Sequence, residues 1–202
     1  IVNINAKTKN MTEAFKHADA ACYAAKEGGR NRIQVYQENI QNLSGRKNEL
    51  DWANETMVAI QENQLTLFAQ IITPLSTQIE NKRSYEILVR QFSSDGSEIL
   101  PAQFLPALER YNLAAKLDAW VINASFIFLQ QTSKIADINY FSINLSSQSL
   151  ANQEIYNLIV QLLDSTKISA QKIVFEIPES VAIANIYETS QFINSLKKCL
   201  IL

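Results

Sequence analysis

The hydrophobic and polar positions of this chain follow two rhythms, and they change places along its length. Residues 85–90 alternate: Glu86, Leu88 and Arg90 share one face of a strand, and Tyr85, Ile87 and Val89 share the other. Residues 65–70 are also strand-like. Between the two runs stand Pro74 and a polar turn at 80–83, with no helical period. A parallel crossover needs a dozen or more residues and usually a helix, so the pair reads as an antiparallel hairpin. A loop at 93–96 leads to Pro101, well placed at a helix start. Helical spacing then predicts helices over 102–111 and 116–131, the second strongly apolar through Leu117, Trp120, Val121, Ala124, Phe128 and Leu129. Beyond it come a strand at 140–145, a helix at 155–163, a strand at 173–177 closed by Pro178, and an amphipathic helix at 185–198 carrying Ile186, Phe192, Ile193 and Leu196. Alternating units with apolar strands imply an α/β fold whose parallel sheet is covered by helices, either open and doubly wound or the first part of a barrel.

The upstream part is patterned differently. Residues 1–4 suggest a short strand. From Thr12, a plausible N-cap, a helix carries Phe15, Ala18, Cys22 and Ala25 at helical spacing until Gly28-Gly29 ends it. Residues 33–36 read as a strand. Residues 37–63 read as a linking helix broken near Ser44-Gly45, with Leu50, Met57, Val58 and Ile60 as its apolar stripe.

Composition narrows the classes. The 202 residues are 47% apolar with a formal net charge of -2, too apolar for disorder and without the basic excess of a nucleic-acid or membrane-surface binder. No apolar run is long enough to span a bilayer, and no signal segment follows Ile1, so the chain reads as a cytoplasmic piece of something longer. Cys22 and Cys199 lie far apart without metal spacing and read as reduced, partly buried thiols. His17 has no second ligand at metal spacing and reads as a surface or helix-packing residue.

The strand faces carry the candidate chemistry. The 85–90 strand places Glu86 and Arg90 opposite its apolar side. The next strand places Ser142 and Asn144 opposite Phe141 and Ile143, and the last places Glu176 opposite Phe175 and Ile177. The first strand supplies Gln70. Two carboxylates and an amide oxygen are hard ligands suited to Mg²⁺ or Mn²⁺. An arginine fork beside them suits a phosphate.

These residues also carry a resemblance. Glu86-Ile87-Leu88-Val89-Arg90 resembles the E-A-L-x-R motif of EAL-domain cyclic-di-GMP phosphodiesterases, and Ala69-Gln70-Ile71-Ile72 its Y-Q-P-I. Residues 101–106 resemble its P-x-x-F-I-P, Ile143-Asn144-Leu145-Ser146 its V-N-L-S, and Phe175-Glu176-Ile177-Pro178-Glu179 its L-E-I-T-E. Upstream, residues 12–36 resemble the C-terminal end of a GGDEF domain. The chain is therefore similar to a GGDEF–EAL tandem, with residues 1–37 a GGDEF remnant, 38–50 a linking helix and 51–202 the N-terminal half of an EAL domain.

The resemblance implies an incomplete TIM-like barrel with an antiparallel first strand. It implies that Glu86, Asn144 and Glu176 bind Mg²⁺ or Mn²⁺, that Gln70, Leu88 and Arg90 contact cyclic-di-GMP, and that Glu179 steadies an active-site loop. The family uses two metals to activate a water that opens cyclic-di-GMP to linear pGpG, in bacterial second-messenger signalling. Implied partners are cyclic-di-GMP and a second copy of the full-length parent, with no DNA, RNA or membrane contact by this segment. A sensor or membrane domain upstream in the parent stays compatible with this reading.

The departures are Ile87 for Ala, Ala69 for Tyr, and Pro178 for Thr before Glu179. After Lys198 the family continues to a D-D-F-G strand, whereas this chain reads Cys199-Leu200-Ile201-Leu202. The expectation is that the 202-residue fragment alone is inactive; the alternative is a non-catalytic cyclic-di-GMP receptor or interaction module.

Overall fold

The computed structural model describes residues 44–75, 82–93, 95–132 and 137–200, and before these only positions 2–4, 10, 11, 14, 15, 17, 18, 21, 22, 33, 35 and 36. Residues 1–48 and 49–202 form two compact units.

In the first unit, the described positions from 11 to 22 are helical. His17 stacks on Tyr36 with ring centroids 3.8 Å apart, in keeping with a packing role. Cys22 is exposed and unpaired, not partly buried as expected. Positions 2–4, 33, 35 and 36 belong to no strand, against the two short strands expected there. An apolar run becomes a strand only where a partner takes its backbone groups, and no described residue of this unit offers one. The Thr12 cap, the Gly28-Gly29 stop and the thiol of Cys199 lie outside the described residues.

In the second unit, a mixed sheet is built from β1 (Thr66–Ile72), β2 (Arg83–Phe92), β3 (Glu98–Ile99), β4 (Ile138–Asn144) and β5 (Ile173–Glu176). The path runs β1-β2-β4-β5, with β3 paired to β2 off that path. β1 is antiparallel to β2, as the short connection requires, while β2, β4 and β5 run parallel. The expectation of a parallel sheet entered through an antiparallel first strand is met. β3 went unread, because two residues are too short to show a period; it exists because the Ser93–Ser97 turn folds Glu98 and Ile99 back onto Phe92 and Gln91. Asp95 secures that turn by accepting from the hydroxyl of Ser93 and from the backbone N–H of Ser97.

Helices cover the face of the sheet bearing Ile87, Phe141 and Ile143. They are α1 (Ser44–Gln61), α2 (Pro101–Arg110), α3 (Ala114–Gln131), α4 (Ser147–Leu150), α5 (Gln153–Thr166), α6 (Glu179–Ala184) and α7 (Ile186–Leu200). α3 buries Ala114, Leu117, Val121, Ile122, Phe126 and Leu129, a stripe with the period of one helix face. Asp118 and Ser125 are polar members of that stripe.

Two stripes differ from expectation. α1 buries Ala53, Thr56 and Ala59 while Leu50 and Val58 stay exposed, since small side chains let the helix approach β2 closely enough for Thr56 Oγ1 to donate to buried Gln91 Oε1 at 2.8 Å. α7 buries Thr189, Phe192 and Leu196, whereas Ile186 is 71% exposed. No described helix is long and apolar enough to cross a membrane.

Candidate functional site

The face of the sheet opposite the helices gathers the polar residues. The antiparallel register sets Gln70 beside Glu86, Phe68 beside Leu88 and Thr66 beside Arg90. The parallel registers set Glu86 beside Ser142 and Asn144 beside Glu176. Partners across a ladder share a face, so Gln70, Glu86, Leu88, Arg90, Ser142, Asn144 and Glu176 lie on one surface. Asn144 and Glu176 are the last residues of β4 and β5, the strand end where α/β folds of this kind assemble their sites.

Contacts between side chains make this a cluster. Asn144 Nδ2 donates to Glu86 Oε1 at 2.8 Å, across |i−j| = 58 residues of chain. Gln70 and Asn144 are exposed; Glu86, Arg90 and Glu176 are half-buried with their polar ends within reach of a ligand, and Leu88 is a half-buried apolar neighbour. The backbone also ties the two strand ends together, with Leu145 N donating to the Glu176 carbonyl at 2.9 Å.

Arg90 is held on three sides. Its Nε pairs with Glu98 Oε1 at 2.6 Å, its Nη1 donates to the Val89 carbonyl at 2.9 Å, and its guanidinium lies 5.5 Å from the centroid of the Phe68 ring. A cation over an aromatic face is attracted by the ring quadrupole, and a planar guanidinium stacks there readily.

Behind the cluster, Asp118 of α3 secures the segment that follows Asn144. Its Oδ2 accepts from Ser146 N at 2.8 Å, Ser146 Oγ at 2.7 Å and Ser149 Oγ at 2.6 Å. Burial pushes its pKa up, and the Ser149 and Ser146 bonds oppose that rise. Gln148 adds a second fastening, accepting from Ala114 N at 3.0 Å and donating to the Glu109 carbonyl at 2.7 Å.

Glu179 stands apart as the first residue of α6, exposed, with Pro178 as N-cap. Pro178 fits there: its φ of -56° suits the ring, and its carbonyl accepts from Val181 N and Ala182 N at 3.0 Å each. The structure thus brings Glu86, Asn144, Glu176, Gln70, Leu88 and Arg90 onto one face and leaves Glu179 at its margin.

Three contributors escaped the sequence reading: Glu98, Phe68 and Asp118. Asp118 had a visible signal, an acid inside an apolar helical stripe between Ala114 and Val121. Glu98 had none, since it depends on the fold-back of β3. Two concavities lie elsewhere. One of about 440 Å³ opens against Ala69, Tyr85, Phe128 and Phe141 on the helix side, and another of about 310 Å³ lies near Leu129, Lys167 and Lys172. Neither collects the carboxylates, so the chemistry of the open sheet face, not cavity size, marks the site.

Comparison with known proteins agrees with this geometry. The family model described as EAL domain matches residues 53–201. The cyclic di-GMP phosphodiesterase PdeB of Shewanella oneidensis is 34% identical over 189 residues, which cover 94% of this chain and 22% of that protein. The crystal structure of the FimX EAL domain from Pseudomonas aeruginosa bound to c-di-GMP superposes with a TM-score of 0.66 at 26% identity, covering 73% of this chain and 58% of that one. The Vibrio cholerae LapD structure described as S helix-GGDEF-EAL bound to c-di-GMP shares the fold, with a TM-score of 0.64 at 21% identity, over 98% of this chain and 47% of that one. The chain spans about a fifth to a quarter of the length of the curated relatives it matches. With residues 53–201 matched, a range that holds the whole sheet and its polar cluster, this chain belongs to the EAL domain family.

Proposed function

We propose that this chain is part of a cyclic-di-GMP phosphodiesterase that opens one phosphodiester of the ring to give linear pGpG in bacterial second-messenger signalling. The observation that carries the reading is the bond of Asn144, at the end of β4, to Glu86 of β2, with Glu176 of β5 beside Asn144 and Arg90 on the same face. The printed names of the Shewanella and FimX proteins, one a phosphodiesterase and the other bound to c-di-GMP, support it.

The donor set fits a hard divalent cation. All three candidates offer oxygen, and among the described residues no cluster of three or more His, Cys, Asp or Glu side chains competes with them. Glu86, Asn144 and Glu176 would hold Mg²⁺ or Mn²⁺. When bound, that ion supplies positive charge to the phosphate and a water acidic enough to attack near neutral pH.

The chain's own groups do the rest. The neutral amide of Asn144 joins two carboxylates without adding a third like charge, and its bond to Glu86 orients both. Arg90 presents its outer N–H groups to a phosphate oxygen, Gln70 offers an amide to a base edge, and Leu88 supplies the apolar surface between them. Glu179, at the start of α6, steadies the loop entering the site. Residues 1–37 are a GGDEF remnant, 38–50 a linker and 51–202 the first half of a TIM-like barrel. The parent acts in the cytoplasm as a homodimer.

A non-catalytic receptor is the second reading, favoured by one observation: the oxygen cluster contains two carboxylates, enough for one cation. Calorimetric titration with cyclic-di-GMP in Mg²⁺ or Mn²⁺, with chromatography for pGpG, separates the readings. Binding should need the cation, weaken by about tenfold or more in Glu176→Gln and Arg90→Ala, and proceed without pGpG from the 202-residue chain. Binding indifferent to both substitutions and to chelator would overturn the reading; pGpG from this chain would overturn its inactivity.

A further inference from the structure

Asp118 is an acid set in the apolar stripe of α3, 8% exposed, among Ala114, Leu117, Val121 and Ile122. A carboxyl group in such a place is costly unless it is bonded, and an apolar side chain would fill the stripe as well. The bonds of Asp118 converge on one segment. Its Oδ2 accepts from Ser146 N, Ser146 Oγ and Ser149 Oγ, and that segment begins two residues after Asn144. Ser146 shows the pull. It is the N-cap of α4, where a serine ordinarily bonds the first N–H groups of its own helix. Among the described residues its side chain makes no cap bond; the hydroxyl donates to Asp118 instead, at 2.7 Å.

Asn144 needs such a fastening because the ladder ends with it. Its pairing with Glu176 is the last of the β4–β5 register, and Leu145 N reaches the Glu176 carbonyl just beyond. There the chain leaves the sheet, and Asp118 takes hold at the next residue. We propose that Asp118 is a positioning residue: through Ser146 and Ser149 it fixes the backbone that aims the Asn144 side chain at Glu86 and at the cation beside it. This rests on the metal-site reading given above. With Nδ2 donating to Glu86 at 2.8 Å, the amide oxygen of Asn144 is the atom left to meet a cation. On a loose strand end that oxygen would have to be ordered at each binding event, whereas a fastened one is already in place.

The test uses the 202-residue chain and Mn²⁺ alone. The electron paramagnetic resonance of free Mn²⁺ gives the affinity, and the melting temperature without metal gives the stability. Asp118→Ala, Asp118→Asn and Ser146→Ala are measured singly and combined with Asn144→Ala, with Glu176→Gln as ligand control. Asp118→Ala should weaken Mn²⁺ binding about tenfold, and Ser146→Ala, which deletes one bond of the set, about threefold. Asp118→Asn keeps an acceptor in the same place and should stay within about twofold of wild type. In the Asn144→Ala background neither alanine substitution should weaken binding further, whatever it does to the melting temperature. An aspartate that only stabilised the fold would show no such dependence on Asn144. Asp118→Ala or Ser146→Ala binding Mn²⁺ as tightly as wild type overturns the proposal, as does a loss of affinity that persists without the Asn144 side chain. If Asp118→Ala does not fold, Ser146→Ala, at a half-buried position, decides by the same comparison. Wild-type Mn²⁺ binding that survives Glu176→Gln overturns the metal-site reading itself, and this proposal with it.

Discussion

Asp118 and Arg90 show how single side chains acquire a role from what touches them. The Asp118 carboxyl has its pKa raised mainly by burial, so the native state holds its proton more tightly than the unfolded chain does. The sign follows: with a folded pKa above the unfolded 3.8, this group lowers stability as pH rises from about that value through the raised pKa, and adds no further slope above it. Asp118→Asn keeps an acceptor for the two serines and removes the charge. Urea midpoints of the variant measured from pH 4 upward should therefore lack this downward component, and a slope identical to wild type would disprove it. For Arg90, the pair with Glu98 is partly exposed and contributes about 0–1 kcal/mol to stability. In the proposed function its larger effect is on a bound anion, since the carboxylate partly neutralises the guanidinium that would face the phosphate. Glu98→Gln should leave the melting temperature within a few degrees while tightening cyclic-di-GMP binding roughly two- to fivefold at low salt, a gain that shrinks as salt screens it. Weaker binding would show instead that Glu98 mainly orients Arg90.

At the scale of elements, the termini explain what the strands and helices do. α5 begins at Asn152, whose side chain accepts from Glu154 N at 2.8 Å, and ends at Lys167 in the left-handed region at φ 57°. Asn152→Ala removes the cap and should cost about 1 kcal/mol in chemical denaturation, with no effect on metal binding because α5 lies behind the sheet. The β2–β3 turn depends on Asp95, whose carboxyl is held at about 2, first by the Ser93 hydroxyl and then by Ser97. That stabilisation is present above 3.8 and fades as pH falls through about 2, so acid should loosen the turn and β3 with it.

For the whole molecule, the relevant fact is that β1 and β5 end the strand path of the sheet. A terminal strand offers unpaired backbone groups along one side. Ile71 at 52% exposure, Phe68 at 47% and Val174 at 38% add apolar surface on these two strands. The 202-residue polypeptide should therefore self-associate, its mass by light scattering rising with concentration. A sharp monomeric peak together with a cooperative melt would refute this.

The sequence by itself determined the kind of fold and which polar residues lie opposite the apolar face of each strand. Short strand periods, helical stripes and a connection too short for a crossover gave an α/β sheet entered by an antiparallel strand. The alternation placed Glu86 and Arg90, Asn144, and Glu176 each opposite the apolar side of its own strand, because a period of two assigns the faces of a strand without any knowledge of neighbours. What only the tertiary structure decided was register and company. Asn144 reaches Glu86 across |i−j| = 58 residues, Glu98 reaches Arg90 through a two-residue strand, and Asp118 holds Ser146 from another element. Those contacts depend on how elements distant in sequence are set side by side. Local periodicity carries no such information, just as it could not say that α1 would bury its alanines and leave Leu50 in water.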